Sequence, residues 1–310
     1  DADASAAERA VELGAIDVVG LDASATITFV AAPVSAIATE VRRALAHTAG
    51  AVTDVGSVKG SVVAEIDDPR FIGGHPMAGS EQLGVEGATA DLFEGAVWVL
   101  TPATGTGSDH FATVDAVVRS FGAEVVALDP ERHDALVAVV SHVPHLTAAT
   151  LMALADARSA DHRALLRLAA GGFRDMTRVA AGHPGIWPDI CAENRVAILS
   201  ALDGLIDGLH SMRRVVDTDA RVELHQRLSK AREARANLPS RANQPGEFAE
   251  MRIPIPDRPG AAAEVFTLAA ELGVNVYSFE VVHSVEGNRG VAVVLVDATV
   301  ADMYRGGLMA

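Results

Sequence analysis

The stretch Thr26-Ile27-Thr28-Phe29-Val30-Ala31-Ala32-Pro33 decides the fold class. Up to Ala32 it holds no charge and is rich in β-branched and aromatic side chains, a strand too apolar to leave either face in water. Such a strand belongs inside a parallel sheet with helices on both sides. Outward from it the alternation continues. Asp3 to Leu13 reads as a helix stopped at Gly14, Val34 to Ala46 as a helix, and Ala51 to Asp54 as a strand. Phe71-Ile72-Gly73 and Ala96 to Leu100 are further strands, and the helix Phe111 to Phe121 leads to a strand Glu124 to Leu128. Strands and helices alternating through short connections predict a Rossmann-type doubly wound α/β domain over residues 1–130.

From 131 to about 240 the pattern turns helical, and an all-α domain is expected. Ile198, Leu199, Leu202, Leu205, Ile206 and Leu209 form an apolar stripe broad enough to pack on other helices, including those of a second copy. Leu238-Pro239-Ser240-Arg241-Ala242-Asn243-Gln244-Pro245-Gly246 is a linker by composition. Beyond it, strand, helix, strand, strand over 248–310 open a small ferredoxin-like α+β module and reach only into its second helix.

Composition limits what the chain can do. With 310 residues and 49% hydrophobic residues there is enough for two or three cores. The net charge of -16 argues against a nucleic-acid partner. Unbroken apolar runs are far shorter than the roughly 20 residues of a membrane span, so no membrane partner is expected. One cysteine and an acidic start without a basic leader point to the cytoplasm.

A doubly wound nucleotide-binding domain normally opens on a strand and G-x-G-x-x-G. That motif is absent; Gly105-Thr106-Gly107 lacks the third glycine and reads as a turn. One reading is an N-terminally truncated sheet whose first strand and glycine loop precede residue 1. Asp1 then holds a ribose 2′-hydroxyl at the tip of the second strand. The other reading is a solvated terminal aspartate.

Polar residues where strands end are the candidates for chemistry. Ser57 follows Asp54-Val55-Gly56 and fits either a ligand contact or a helix cap. His75 lies in Gly73-Gly74-His75-Pro76, suited to accept a proton near neutral pH, or else to a structural role. Ser141-His142-Val143-Pro144-His145 puts two histidines in an apolar helix, too weak a pattern for a metal site. In Phe173-Arg174-Asp175-Met176-Thr177-Arg178 an arginine could clamp a carboxylate, or pair with Asp175 at the surface.

Taken in order, Asp54 to Lys59, Gly74 to Glu81, Ser141 to His145, Phe173 to Arg178, and Trp187-Pro188-Asp189-Ile190 with Asn194 resemble the prephenate/arogenate dehydrogenase family. The tail, with Asp257-Arg258-Pro259-Gly260, resembles an ACT domain. The resemblance implies NAD-dependent oxidative decarboxylation of prephenate to 4-hydroxyphenylpyruvate. Alternatives are an arogenate or dual-specificity cyclohexadienyl enzyme, or a non-catalytic tyrosine-sensing protein. It further implies that His75 accepts the substrate hydroxyl's hydrogen bond with Ser57 beside it. Arg178 holds a carboxylate, Ser141 and His145 line the other end, and Glu81 and Asp175 stand at the mouth. NAD lies against Asp1, Ala32, Pro33, Asp54 and Ser57. A homodimer through the helices and L-tyrosine at the ACT-like module complete the implied partners.

Overall fold

A computed structural model describes residues 4–79, 84–159, 165–238, 248–256, 258–283 and 289–309. It divides into two compact units, Asp1–Arg221 and Val222–Ala310. In the first, helix α1 (Ala4–Glu12) precedes strand β1 (Ile27–Val30), helix α2 (Val34–His47), strand β2 (Ala51–Asp54) and the short helix α3 (Gly60–Ala64). Strand β3 (Phe71–Pro76), strand β4 (Val97–Thr101), helix α4 (Ser108–Ser120) and strand β5 (Glu124–Ala127) complete the sheet half.

The sheet runs β1-β2-β3-β4-β5. β1, β2 and β3 are parallel, as are β4 and β5, but β3 and β4 pair antiparallel, His75 opposite Val99. The sheet is therefore mixed rather than wholly parallel. Among the described residues between β3 and β4 there is a 3-10 turn, Val85–Gly87, and no crossover helix, so the chain returns in the opposite direction. Packing on the two faces follows the sequence pattern. Ile37, Val41 and Ala44 of α2 recur at helical spacing and close over Val52 and Phe71. Val114 and Val118 of α4 seal Ile72, Trp98 and Leu100 on the other side.

The helical half holds α5 (Pro130–Val137), α6 (Val143–Ser159), α7 (Gly171–Thr177), α8 (Trp187–Glu193) and α9 (Arg195–Asp217). A π-helical turn, Ala138–His142, joins α5 to α6. Pro144 lies just beyond it. Proline brings no N–H and its ring crowds the carbonyl four residues back, and a widened turn relieves both. The continuous run Pro130–Ser159 is long and apolar enough by length and composition to cross a membrane, which counting unbroken apolar runs did not register. It buries His133, Asp134 and His142 on one side, while Leu136, Val139, Val140 and Leu154 are exposed. Its Ala138 meets Val58, Ile190 and Ile198, where sheet and helices join.

The second unit opens with helix α10 (Arg221–Ala236), whose first residue is the last of the first unit. Strand β6 (Phe248–Pro256), helix α11 (Ala261–Glu271), strands β7 (Val276–His283) and β8 (Arg289–Asp297), and helix α12 (Ala301–Met309) follow. The sheet is antiparallel in the order β6-β8-β7. Gly260 starts α11 at φ 90°, a left-handed conformation that suits glycine. Tyr304 of α12 is fully buried and donates to the Val265 carbonyl at 2.6 Å, fixing α12 against α11.

Candidate functional site

The site begins where β2 ends. Asp54 is fully buried and forms an ion pair with the equally buried Lys59. Its carboxylate also accepts from the backbone N–H of Gly56 at 2.9 Å and of Gly74 at 3.1 Å. Burial pushes the Lys59 ammonium below its usual range, against the favourable charges of Asp54 and Asp134. Asp54 thus ties the loop carrying Ser57 to the neighbouring strand. Where a cofactor contact was expected of Asp54, its side chain is buried and serves as a scaffold group. Ser57 itself is half-buried on the loop so held, and after β1 Ala32 is half-buried and Pro33 exposed.

β3 needs its two glycines for space. A Cβ on Gly74 would lie 2.6 Å from the Asp54 carbonyl oxygen, and one on Gly73 would lie 2.4 Å from Thr101 Oγ1. The next residue, His75, is 9% exposed at the strand's end. Its Nδ1 lies 2.8 Å from Nε2 of His133, whose Nδ1 lies 2.8 Å from Asp134 Oδ1. Asp134 in turn accepts from the backbone N–H of Lys59 and of Gly60, each at 2.8 Å, capping α3 from a distant helix. Burial, then the charges of His133, Lys59 and His142, lower the His75 pKa to about 2, so the ring stays neutral. Its Nε2 has no hydrogen-bond partner among the described residues.

The helical half closes around this chain of groups. Asn194 Nδ2 donates to the Asp134 carbonyl at 2.9 Å and lies 3.2 Å from His142 Nδ1. The His142 ring meets Trp187 edge-on at 6.1 Å, and His145 stacks on the same indole at 3.7 Å. Burial lowers the pKa of both histidines. Arg178 is exposed at the head of the 3-10 turn Arg178–Ala181, which packs on α6. The following Gly182 approaches His145, whose Cε1 would be 3.6 Å from an added Cβ. Ser35 Oγ donates to Asp189 Oδ2 at 2.5 Å and ties α2 to α8 beside the site.

Of the residues singled out in the sequence, His75, His142 and Trp187 belong to one contact network, with His145 stacked at its end. Ser141 is half-buried in the π turn, and Asp175 is exposed on α7. Glu81 and Asp1 lie outside the described residues. Lys59, His133, Asp134 and Asn194 had no functional reading from sequence. The adjacent His133 and Asp134 in the helix that opens the helical half were the available signal, since polar groups buried there need partners.

Residues 1–127 match the family described as prephenate dehydrogenase, nucleotide-binding domain, and residues 129–230 match prephenate dehydrogenase, dimerization domain. A prephenate dehydrogenase of Bacillus subtilis (strain 168) is 32% identical over 303 residues, covering 92% of this chain and 81% of that protein. The crystal structure of prephenate dehydrogenase from Aquifex aeolicus in complex with hydroxyphenyl propionate and NAD+ is similar, with TM-score 0.72 and 31% identity, covering 77% of this chain and 87% of that one. Synechocystis arogenate dehydrogenase is also similar, with TM-score 0.65 and 31% identity over 76% of this chain and 89% of that one. A sheet domain followed by a helical domain agrees with these matches, and the chain belongs to the prephenate dehydrogenase family.

Proposed function

We propose that this chain catalyses the NAD-dependent oxidative decarboxylation of prephenate to 4-hydroxyphenylpyruvate and CO2. The observation that carries the reading is His75: buried, held neutral, and with no partner for Nε2 among the described residues, at the carboxyl end of a strand, where ligands of α/β sheets gather. NAD supplies the hydride acceptor when bound. The residues present fit its nicotinamide end, because the loops after β1 and β2 leave Ala32 and Ser57 only half covered at the strand ends. Those two and Pro33 would hold it there. A G-x-G-x-x-G loop for the pyrophosphate does not occur in these 310 residues.

His75 accepts a hydrogen bond from the ring hydroxyl. As hydride leaves the carbon bearing it, that hydroxyl becomes as acidic as a protonated ketone. Even a weakly basic imidazole then suffices to take the proton. Breaking the bond to the ring carboxylate releases CO2 and sends its electron pair into the ring. The proton returns to the phenolic oxygen. Ser57 sits on the loop beside this end, and Ser141 and His145 line the other. The Arg178 guanidinium binds a carboxylate, with Asp175 at the entrance.

The domain plan is a nucleotide-binding part over 1–130, a helical part over 131–240 and an ACT-like module over 248–310. The exposed Val139, Leu199, Ile206 and Leu209 support a homodimer through the helices, as does an apolar groove of about 560 Å³ lined by Val143, Leu151, Met176 and Leu205. The β-α-β-β-α order of the second unit supports L-tyrosine control there. Arogenate is the second reading, favoured by the Synechocystis likeness.

Purified protein incubated with NAD+ and either prephenate or arogenate, followed at the NADH absorbance, tests the reaction and ranks the substrates. No turnover with either overturns it. His75→Asn should lower kcat by about 10²–10⁴-fold with KM little changed, the usual weight of a proton acceptor. A surviving kcat removes His75 from the role.

A further inference from the structure

We infer that Asp134, acting through His133, sets the tautomer of His75. A carboxylate only accepts hydrogen bonds, and both oxygens of Asp134 already receive backbone N–H groups of Lys59 and Gly60. The contact from Asp134 Oδ1 to His133 Nδ1 at 2.8 Å therefore places the His133 proton on Nδ1. That leaves Nε2 of His133 with a lone pair, and its partner at 2.8 Å is Nδ1 of His75. The two rings meet nearly perpendicular, at 79°, edge towards edge-borne lone pair. His75 must then carry its proton on Nδ1, and Nε2 faces the site as an acceptor.

Without the carboxylate, the opposite order satisfies the same two rings: His133 donates from Nε2, and His75 carries its proton on Nε2. That form offers a hydroxyl a donor where an acceptor is needed. Asp134 and His133 are thus positioning residues, which need not touch the substrate. The carboxylate is fixed by the N-terminus of α3, and Asn194 holds its backbone carbonyl at 2.9 Å, so the pair starts from a rigid base.

This rests on His75 being the proton acceptor, and the test separates the two ideas. Nitrogen-15 NMR of the full chain labelled at histidine, without substrate, reads the His75 tautomer directly, with His75→Asn assigning the signal. The wild type should show the form protonated at Nδ1, and His133→Leu should lose that preference. With NAD+ and prephenate, His133→Leu should lower kcat by about 10²-fold or more, with KM within a few-fold, as expected of a wrongly protonated histidine. His133→Gln, whose amide oxygen can still accept from His75 Nδ1, should recover most of that loss. These variants leave the Asp134 cap on α3 in place, whereas Asp134→Asn disturbs it. A wild-type His75 protonated at Nε2, or a His133→Leu protein with unchanged tautomer, overturns the inference. A correct tautomer in a protein whose His75→Asn variant keeps its kcat instead overturns the catalytic role and leaves the relay standing.

Discussion

Acid should weaken the first unit through His75, and the amount follows from its surroundings. His75 faces His133, Lys59 and His142, and with burial these hold its pKa near 2, against 6.5 for an ordinary histidine. The unfolded chain therefore takes up this proton before the folded one does. Stability from the neutral ring is complete above pH 6.5 and is lost as the pH falls towards the folded value. Each unit below 6.5 costs about 1.4 kcal/mol, so moving from about pH 7.5 to 5.0 removes about 2 kcal/mol. Urea unfolding followed by tryptophan fluorescence isolates the effect. Trp98 and Trp187 are the only tryptophans, and both lie in Asp1–Arg221, so the signal reports that unit whatever Val222–Ala310 does. Burial lowers His142 and His145 too, but they are common to wild type and His75→Asn. Across this interval the wild type should lose about 2 kcal/mol more than the variant. Parallel losses in the two proteins would refute the reasoning.

Lys59→Met strands the Asp54 carboxylate with only two backbone donors in a dry site, a loss of about 3–5 kcal/mol. Calorimetry should show the transition of the first unit about 10 °C lower; an unchanged transition means the pair contributes nothing net. Arg178→Gln removes a charge-assisted contact of about 1.5–3 kcal/mol, so KM for prephenate should rise about 10–100-fold while kcat holds. An unmoved KM takes Arg178 out of the pocket.

Much of this was legible because strands and helices write their burial into local periodicity. The apolar run after Ala25 and the helix read over Val34 to Ala46 identified a two-sided sheet without help from distant residues. The end of β3 announced itself through Gly73 and Gly74, two small residues directly before a histidine. Long-range pairings left no such trace. Lys59 and Asp134 are 75 positions apart, and nothing local says that a helix-opening amide is capped from another helix. The Asp54–Lys59 pair was hidden for a related reason: an acid at a strand's end looks like a ligand group, and nothing local shows that its lysine is buried with it. The antiparallel β4 was equally silent, because an apolar strand reads alike in both directions.

The π-helical turn Ala138–His142 has a consequence for how length can vary along this chain. Each residue of a regular helix advances by about 100°, so Asp134 and His142, eight positions apart, would point about 80° away from each other. Absorbing one residue in the wide turn leaves about seven effective steps, and the mismatch shrinks to about 20°. Across this stretch the single amide of Asn194 meets both the backbone carbonyl of Asp134 and the ring of His142. The turn thus acts as a vernier between two helical phases, one addressed to the sheet and the other to Trp187. Side chains there can be exchanged without touching this alignment, whereas removing one residue would put everything from Val143 to Ser159 out of step with the histidines before it.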